Sequence, residues 1–433
     1  MIKDRQLNRI NVDFFKEIIP EARLILLLAE WTVYGRDLPE IKDLIEQGNI
    51  KWERFNEFIL YHELSSFGYP CFKKYLYLLP AKEVDLLKKN YYFYLIYAHY
   101  LWQEFMEIIR LFNKENIKFV PLKGIAFLVD NLYADKAYLR PMCDIDLLVK
   151  ENDLSLVEKL LETLDYRKDL KGMEENYWRR ENYHLVFTKK NIKGLFCNVE
   201  MHWALDYKRR KPLLLSLWNR IKKTQVENKE VYMLSPEDTL FSLALHQRRF
   251  GKMLCLKNVC DVVKLLNRYN ADIDWDYILK ETKLASMSTT LYFILAQANL
   301  LFDIQVPFSL LEALNVPGYK KQLIRRFIAQ DTFSSSSGLS NGHKSINNFY
   351  LKSHFLLYDN FWEPVRAVLN VPHEQFAKFY RLHPYAVKTK LLYRIRYLYF
   401  LQNIFLDILK IMINRLLGFL KRLLGIPCVL LKG

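Results

Sequence analysis

The residues best suited to chemistry in this chain are acidic. Asp144-Ile145-Asp146-Leu147-Leu148-Val149 reads as a β-strand. Successive side chains of a strand alternate between its faces, so Asp144 and Asp146 project together while Ile145 and Leu147 enter a core. A third carboxylate, Glu200, lies in Phe196-Cys197-Asn198-Val199-Glu200-Met201-His202-Trp203, a later strand whose Asn198, Glu200 and His202 share one face. Convergent carboxylates are oxygen ligands for hard divalent cations, and two such ions about 3.5–4 Å apart clamp the attacking and leaving oxygens of an in-line phosphoryl displacement. The pattern therefore points to two Mg²⁺ ions, replaceable by Mn²⁺, held by Asp144, Asp146 and Glu200.

A glycine turn stands upstream. Ile117-Lys118-Phe119-Val120-Pro121-Leu122 is a short apolar strand running into Lys123-Gly124, and a helix-like segment from Ile125 to Leu132 follows. Strand, glycine turn and helix suit phosphate, because the first amides of a helix lack an intrahelical acceptor. Arg140, four residues before Asp144, could reach a phosphate with its planar fork or pair with a site carboxylate, and the sequence supports the two equally. His202 shares the face of Glu200 and reads as a hydrogen-bond partner behind the ligands. His246, in a helical segment with Arg248 and Arg249, reads either as a contact to nucleotide or acceptor or as a core histidine.

The elements that must position these groups have legible signals. Asn152-Asp153 can cap a helix with apolar Leu154, Val157, Leu160, Leu161 and Leu164. His184-Leu185-Val186-Phe187-Thr188 and the Glu200 strand flank the turn Lys190–Gly194 and form a hairpin. From Val12 to about Asn113 apolar residues recur every three or four positions, which predicts helices, and the stripe Tyr91, Tyr92, Phe93, Tyr94 and Tyr97 is read as core rather than a base-stacking platform. After Asp206 the chain returns to helices. Ser235-Pro236 starts one that runs through Thr239 to Phe250, Val259 to Tyr269 forms another, and Asp274-Trp275 opens a third; Asp261 and Trp275 are read as packing or domain-framing residues. The expected organisation is α+β: helical 1–115, a small mixed-sheet core over 116–206, helical 207–332, and a loop with basic helices over 333–433.

Composition sets the outer bounds. The chain has 433 residues, 51% of them apolar and only 13 glycine, which excludes disorder and collagen-like repeats and allows two or three domains. Its net charge is +16, and Ala386–Gly433, with nine basic residues and one acidic, supplies +8 of it. In that tail Asn403, Asp407, Lys410, Asn414 and Lys421 lie opposite Phe405, Ile408, Met412, Leu416, Phe419 and Leu423, the pattern of a basic amphipathic helix that either lies on an anionic bilayer or packs on the protein. Ser334–Gly342 reads as a loop or linker. Six scattered cysteines without a C-x-x-C pair, no export signal and no run of about 18 apolar residues suggest a cytoplasmic protein, with a peripheral contact at the inner face of the membrane as a further expectation.

With these residues in view the chain resembles the uncharacterised bacterial nucleotidyltransferase family of the DNA polymerase β-like superfamily. The resemblance is carried by Leu122-Lys123-Gly124, Arg140, the aspartate strand and Val199-Glu200-Met201-His202-Trp203. It continues through Leu234–Asp238, His246, Asp261 and Asp274-Trp275, and so spans roughly Phe119 to Trp275. It implies a polymerase β-like core that transfers a nucleoside monophosphate from an NTP to a hydroxyl or phosphate acceptor and releases pyrophosphate. On that resemblance Asp144 and Asp146 would bind both metals, Glu200 would complete the site that activates the acceptor, and Lys123, Gly124 and Arg140 would bind the nucleotide. Gly124 is followed by Ile125 where the superfamily usually has Ser or Gly, so Lys123 would supply charge in place of a hydroxyl donor. The acceptor is a small molecule, a protein or RNA. RNA is not favoured, because half of the excess charge lies in the tail and no RNA-binding motif is present. The alternative is an inactive transferase-like protein that binds nucleic acid or an anionic membrane, against which the intact carboxylates argue.

Overall fold

The computed structural model describes residues 18–170, 174–191, 194–206, 211–248, 254–302, 304, 306–333, 356–360, 362–363, 373, 376–377, 386–387 and 389–395. The Ser/Gly-rich stretch from Ser334 and the amphipathic pattern from Asn403 lie outside them. The chain divides into a unit of Met1–Asn360 and a second unit of Phe361–Gly433. In the second unit the described residues include a short helical stretch over 389–395.

The first unit is built on a five-stranded mixed sheet: β1 (Phe119–Leu122), β2 (Asp144–Val149), β3 (Arg167–Asp169), β4 (His184–Lys190) and β5 (Phe196–His202), in the order β1-β2-β5-β4-β3. The β2–β5 pair is parallel, and the other pairs are antiparallel. One sheet face is apolar. Ile145, Leu147, Leu185, Phe187, Cys197, Val199 and Met201 all have no exposed surface. The long helix Ala81–Lys114 helps cover this side, with Phe112 edge-on to Phe119 at 5.6 Å and Glu104 accepting from the Tyr166 hydroxyl at 2.8 Å. A single apolar core runs from Ala22 through the sheet to Leu357. The fold is mixed α+β, as the residue patterns suggested.

Several helix signals act as expected. Ser235 Oγ accepts from the Asp238 amide at the start of Pro236–Gln247, and the Asp274 carboxylate accepts from the Tyr277 amide at the start of Trp275–Leu284. Others are corrected. The helix after the glycine turn spans Lys123–Val129, shorter than read, because Asn131 takes a positive φ of 50° and turns the chain away. Asp153 stands at the cap of Leu154–Thr163 but its side chain does not cap, since a 3₁₀ turn over Glu151–Asp153 leads straight into the helix. The region after Asp206 is not all helical. β6 (Lys222–Val226) and β7 (Lys229–Met233) form a separate hairpin, whose two-residue turn holds Glu227 and Asn228 at φ 46° and 63°. The aromatic stripe of the long helix is also not wholly core. Tyr92 and Phe93 are 53% and 52% exposed, because they fall on the helix face turned away from the buried Leu87, Ala98 and Leu101. No helix among the described residues is long and apolar enough to cross a membrane.

Candidate active site

The second face of the sheet carries the polar groups, and strand register brings them together. Because β2 and β5 run parallel, Asp146 stands directly opposite Glu200, Asp144 opposite Asn198 and Leu148 opposite His202. β4 extends the row, with His184 opposite His202. Thr188 donates to the Asn198 side-chain oxygen at 2.9 Å.

Asp146 is the buried hub. Its Oδ1 accepts from Lys123 Nζ at 2.6 Å and from His202 Nε2 at 2.9 Å. The same His202 nitrogen lies 3.2 Å from Glu200 Oε2. Carboxylates only accept, so Nε2 carries the proton and ties the two acids together. His184 stacks on His202 with ring centroids 5.1 Å apart, and its Nε2 is 3.9 Å from Glu200 Oε2. Glu200 keeps 20% of its side chain exposed against 3% for Asp146, and Asp144 is also partly exposed. Asp146, Glu200 and His202 offer ligand atoms within 4.8 Å of one another.

The electrostatics of the three acids differ. Burial and the neighbouring charge of Asp146 push the Asp144 carboxyl up to about 7, although Lys123 counteracts them. Burial alone would raise Asp146, but Lys123 and His202 hold it well below the usual carboxylate range. Glu200 is also lowered: burial opposes this, and the His202 hydrogen bond outweighs it. His184 is pushed down to about 4 by burial and by the charge of His202. Three acids thus share one polar face, with Lys123 the lysine bonded to them among the described residues; Asp146 and Glu200 bring oxygen donors together with His202, a set that suits a divalent cation, while Asp144 lies outside that group of ligand atoms.

The turn after β1 is shaped by Lys123 and Gly124. Lys123 takes φ 52°, a left-handed conformation that aims its side chain from the end of β1 back to Asp146. A Cβ on Gly124 would meet Arg140 Nη1 at 2.8 Å and the Met142 Cβ at 3.0 Å, so the glycine admits a guanidinium against the backbone. Neither of the two readings of Arg140, a phosphate contact or a pair with a site carboxylate, matches its partner. It makes a two-point pair with Asp261, Nε to Oδ1 at 2.7 Å and Nη2 to Oδ2 at 2.5 Å, and the Tyr133 hydroxyl donates to the same Oδ1 at 2.6 Å. Asp261 is thus a packing residue, as read, with Arg140 as its cargo.

His246 approaches the site from Pro236–Gln247. Burial and then the Lys123 charge hold it well below its ordinary range, and its Nδ1 is buried without a hydrogen-bond partner among the described residues. Two further groups escaped the sequence reading. His184 could have been found by folding the hairpin about its turn, which places it opposite His202. Lys257, buried and paired with Glu63, sends its charge toward Asp144 from the helix Leu256–Tyr269, and no local pattern announces it.

Fold and site together define an α+β protein with a buried acidic cluster, compatible with a metal ion, on one face of a mixed sheet. Residues 48–303 match the family model described as uncharacterised nucleotidyltransferase, and the chain belongs to that family. The match begins well before Phe119 and so takes in much of the helical region ahead of the sheet. No curated protein and no solved structure matches the chain.

Proposed function

We propose that the protein transfers a nucleoside monophosphate from an NTP to a hydroxyl or phosphate acceptor, with Asp144, Asp146 and Glu200 holding divalent cations, two Mg²⁺ in the full reading. The observation that carries this is the register of β2 on β5, which sets Asp146 opposite Glu200 with Asp144 one step along the same face. Bound cations would neutralise the triphosphate and lower the pKa of an acceptor oxygen. The chain's own residues do the rest. The acceptor oxygen bonds to the α-phosphorus as the bond to the pyrophosphate oxygen breaks, and Glu200, more exposed than Asp146, takes the acceptor's proton. His202 fixes the orientation of both Asp146 and Glu200 through one N–H. Lys123 supplies positive charge beside the reacting phosphates.

The test is to incubate the protein with each α-labelled NTP, Mg²⁺ and a cell extract, and to follow label into small molecules, protein or RNA. Transfer that depends on Asp146 supports the reading. Absence of transfer from all four NTPs, or transfer unchanged in Asp146→Asn, overturns it.

A further inference from the structure

A cavity lined by both polar and apolar groups lies where β1 begins and β2 ends. Its volume is about 530 Å³, and Trp203, Trp218, Tyr232, Lys118, Lys150 and Glu151 line it. Its size falls within the range of about 300–1,000 Å³ usual for small-ligand sites.

Strand register explains how the lysines meet. Phe119 pairs with Val149 in the antiparallel β1–β2 ladder, so the next positions outward, Lys118 and Lys150, stand opposite each other. Like charges placed opposite one another on paired strands repel. Neither ammonium lies within ion-pairing distance of a carboxylate among the described residues. Lys118 Nζ sits 5.6 Å from the centroid of the Tyr232 ring, and Lys150 Nζ sits 5.9 Å from that of Trp218. Two cations that share a cavity with flat aromatic walls match a ligand that carries both an anion and a ring.

We propose that this cavity binds a mononucleotide, its phosphate between Lys118 and Lys150 and its base against the rings of Trp218 and Tyr232. Lys150 lies four residues beyond Asp146, about 13 Å at strand spacing, so the occupant is distinct from the reacting phosphates of an NTP. The inference stands whether or not the carboxylates catalyse nucleotidyl transfer.

Calorimetric titration of the full-length chain with 5′-AMP and 5′-UMP tests it, with EDTA present so that metal-dependent binding at the carboxylates is silent. At least one nucleotide should bind saturably, and the matching nucleoside or inorganic phosphate alone should bind about tenfold more weakly or worse. The Lys118→Gln/Lys150→Gln variant and Trp218→Ala should each weaken binding by about tenfold, Trp218→Phe should retain it, and Asp146→Asn should leave it unchanged. Lack of saturable binding by either nucleotide at millimolar concentration overturns the proposal. So does full affinity in the double glutamine variant, whose exposed side chains leave the fold intact, or loss of binding in Asp146→Asn.

Discussion

Two buried ionic clusters sit within a few residues of each other, and they are built on opposite plans. Around Arg140 the charges balance: one guanidinium meets both oxygens of Asp261, and Tyr133 closes the remaining angle. Around Asp146 they do not. Three carboxylates converge on one sheet face, Lys123 and His202 bond to them, and the Asp144 carboxyl is driven up to about 7 by burial and its neighbours. A balanced buried pair needs nothing from outside, whereas an unbalanced one is improved by a cation. The difference teaches that in this fold the arginine nearest the aspartate strand is a structural fastener, and that binding capacity lies where charges are left over.

The comparison breaks most readily at its centre. Asp146→Asn and Asp144→Asn should each lower nucleotidyl transfer by about 10³-fold or more in protein that circular dichroism shows to be folded; Asp144→Asn should melt close to the parent, because the amide removes charge from an over-acidic face, whereas Asp146→Asn should melt lower, because it strips Lys123 and His202 of the charge they pair with. Near-normal turnover in a folded variant would remove these residues from the site. Asp261→Asn should do the reverse. An uncompensated buried guanidinium costs about 3–5 kcal/mol of stability, read from denaturant midpoints, while transfer by the folded fraction stays near the parent's. Unchanged stability with lost activity would return Arg140 to the nucleotide. Glu200→Gln sharpens the split within the acidic cluster: turnover should fall by about 10²-fold with Mg-NTP affinity nearly intact, and loss of nucleotide binding equal to that of Asp146→Asn would make Glu200 a ligand of the donor instead.

The smallest effect concerns a buried group with no counter-ion among the described residues. His62 accepts from the Leu256 amide at 3.3 Å and packs beside Phe333, and burial pushes it down to about 3. The unfolded chain takes up this proton near pH 6.5 and the folded chain does not, so stability present above that pH is lost as pH falls toward 3. The slope should be about 1.4 kcal/mol per pH unit for this residue. Urea midpoints between pH 7 and pH 4.5 measure it, and His62→Gln should flatten the dependence by that amount. An identical slope in the variant would show that His62 is protonated in place.

What could be read from the residues alone follows their range. Asp144 and Asp146 sharing a face of β2, Glu200 and His202 sharing a face of β5, and the caps at Ser235 and Asp274 are local patterns with periods of two or three, and the structure keeps each of them. The partners of Lys123 and Arg140 lie 23 and 121 positions downstream, beyond the reach of any local period. Gly124 was legible as a tight spot but not as the spot where Arg140 crosses the backbone. The β6–β7 hairpin was missed because its turn uses Glu227-Asn228 rather than a glycine pair, and Lys222–Val226 alternates weakly. Tyr92 and Phe93 are exposed because the angle each residue takes around the helix, rather than its aromatic character, decides its burial.

The parallel pairing of β2 with β5 also sets a timetable for the chain. The hairpin β4–β5 closes a short loop and can form early, whereas the contact of Asp146 with His202 joins residues 56 positions apart and must wait for a longer closure. On that order the acidic cluster would be assembled as β2 docks onto the hairpin, and on the proposed reading, in which the carboxylates hold a divalent cation, that cation should speed the closing of the sheet during refolding.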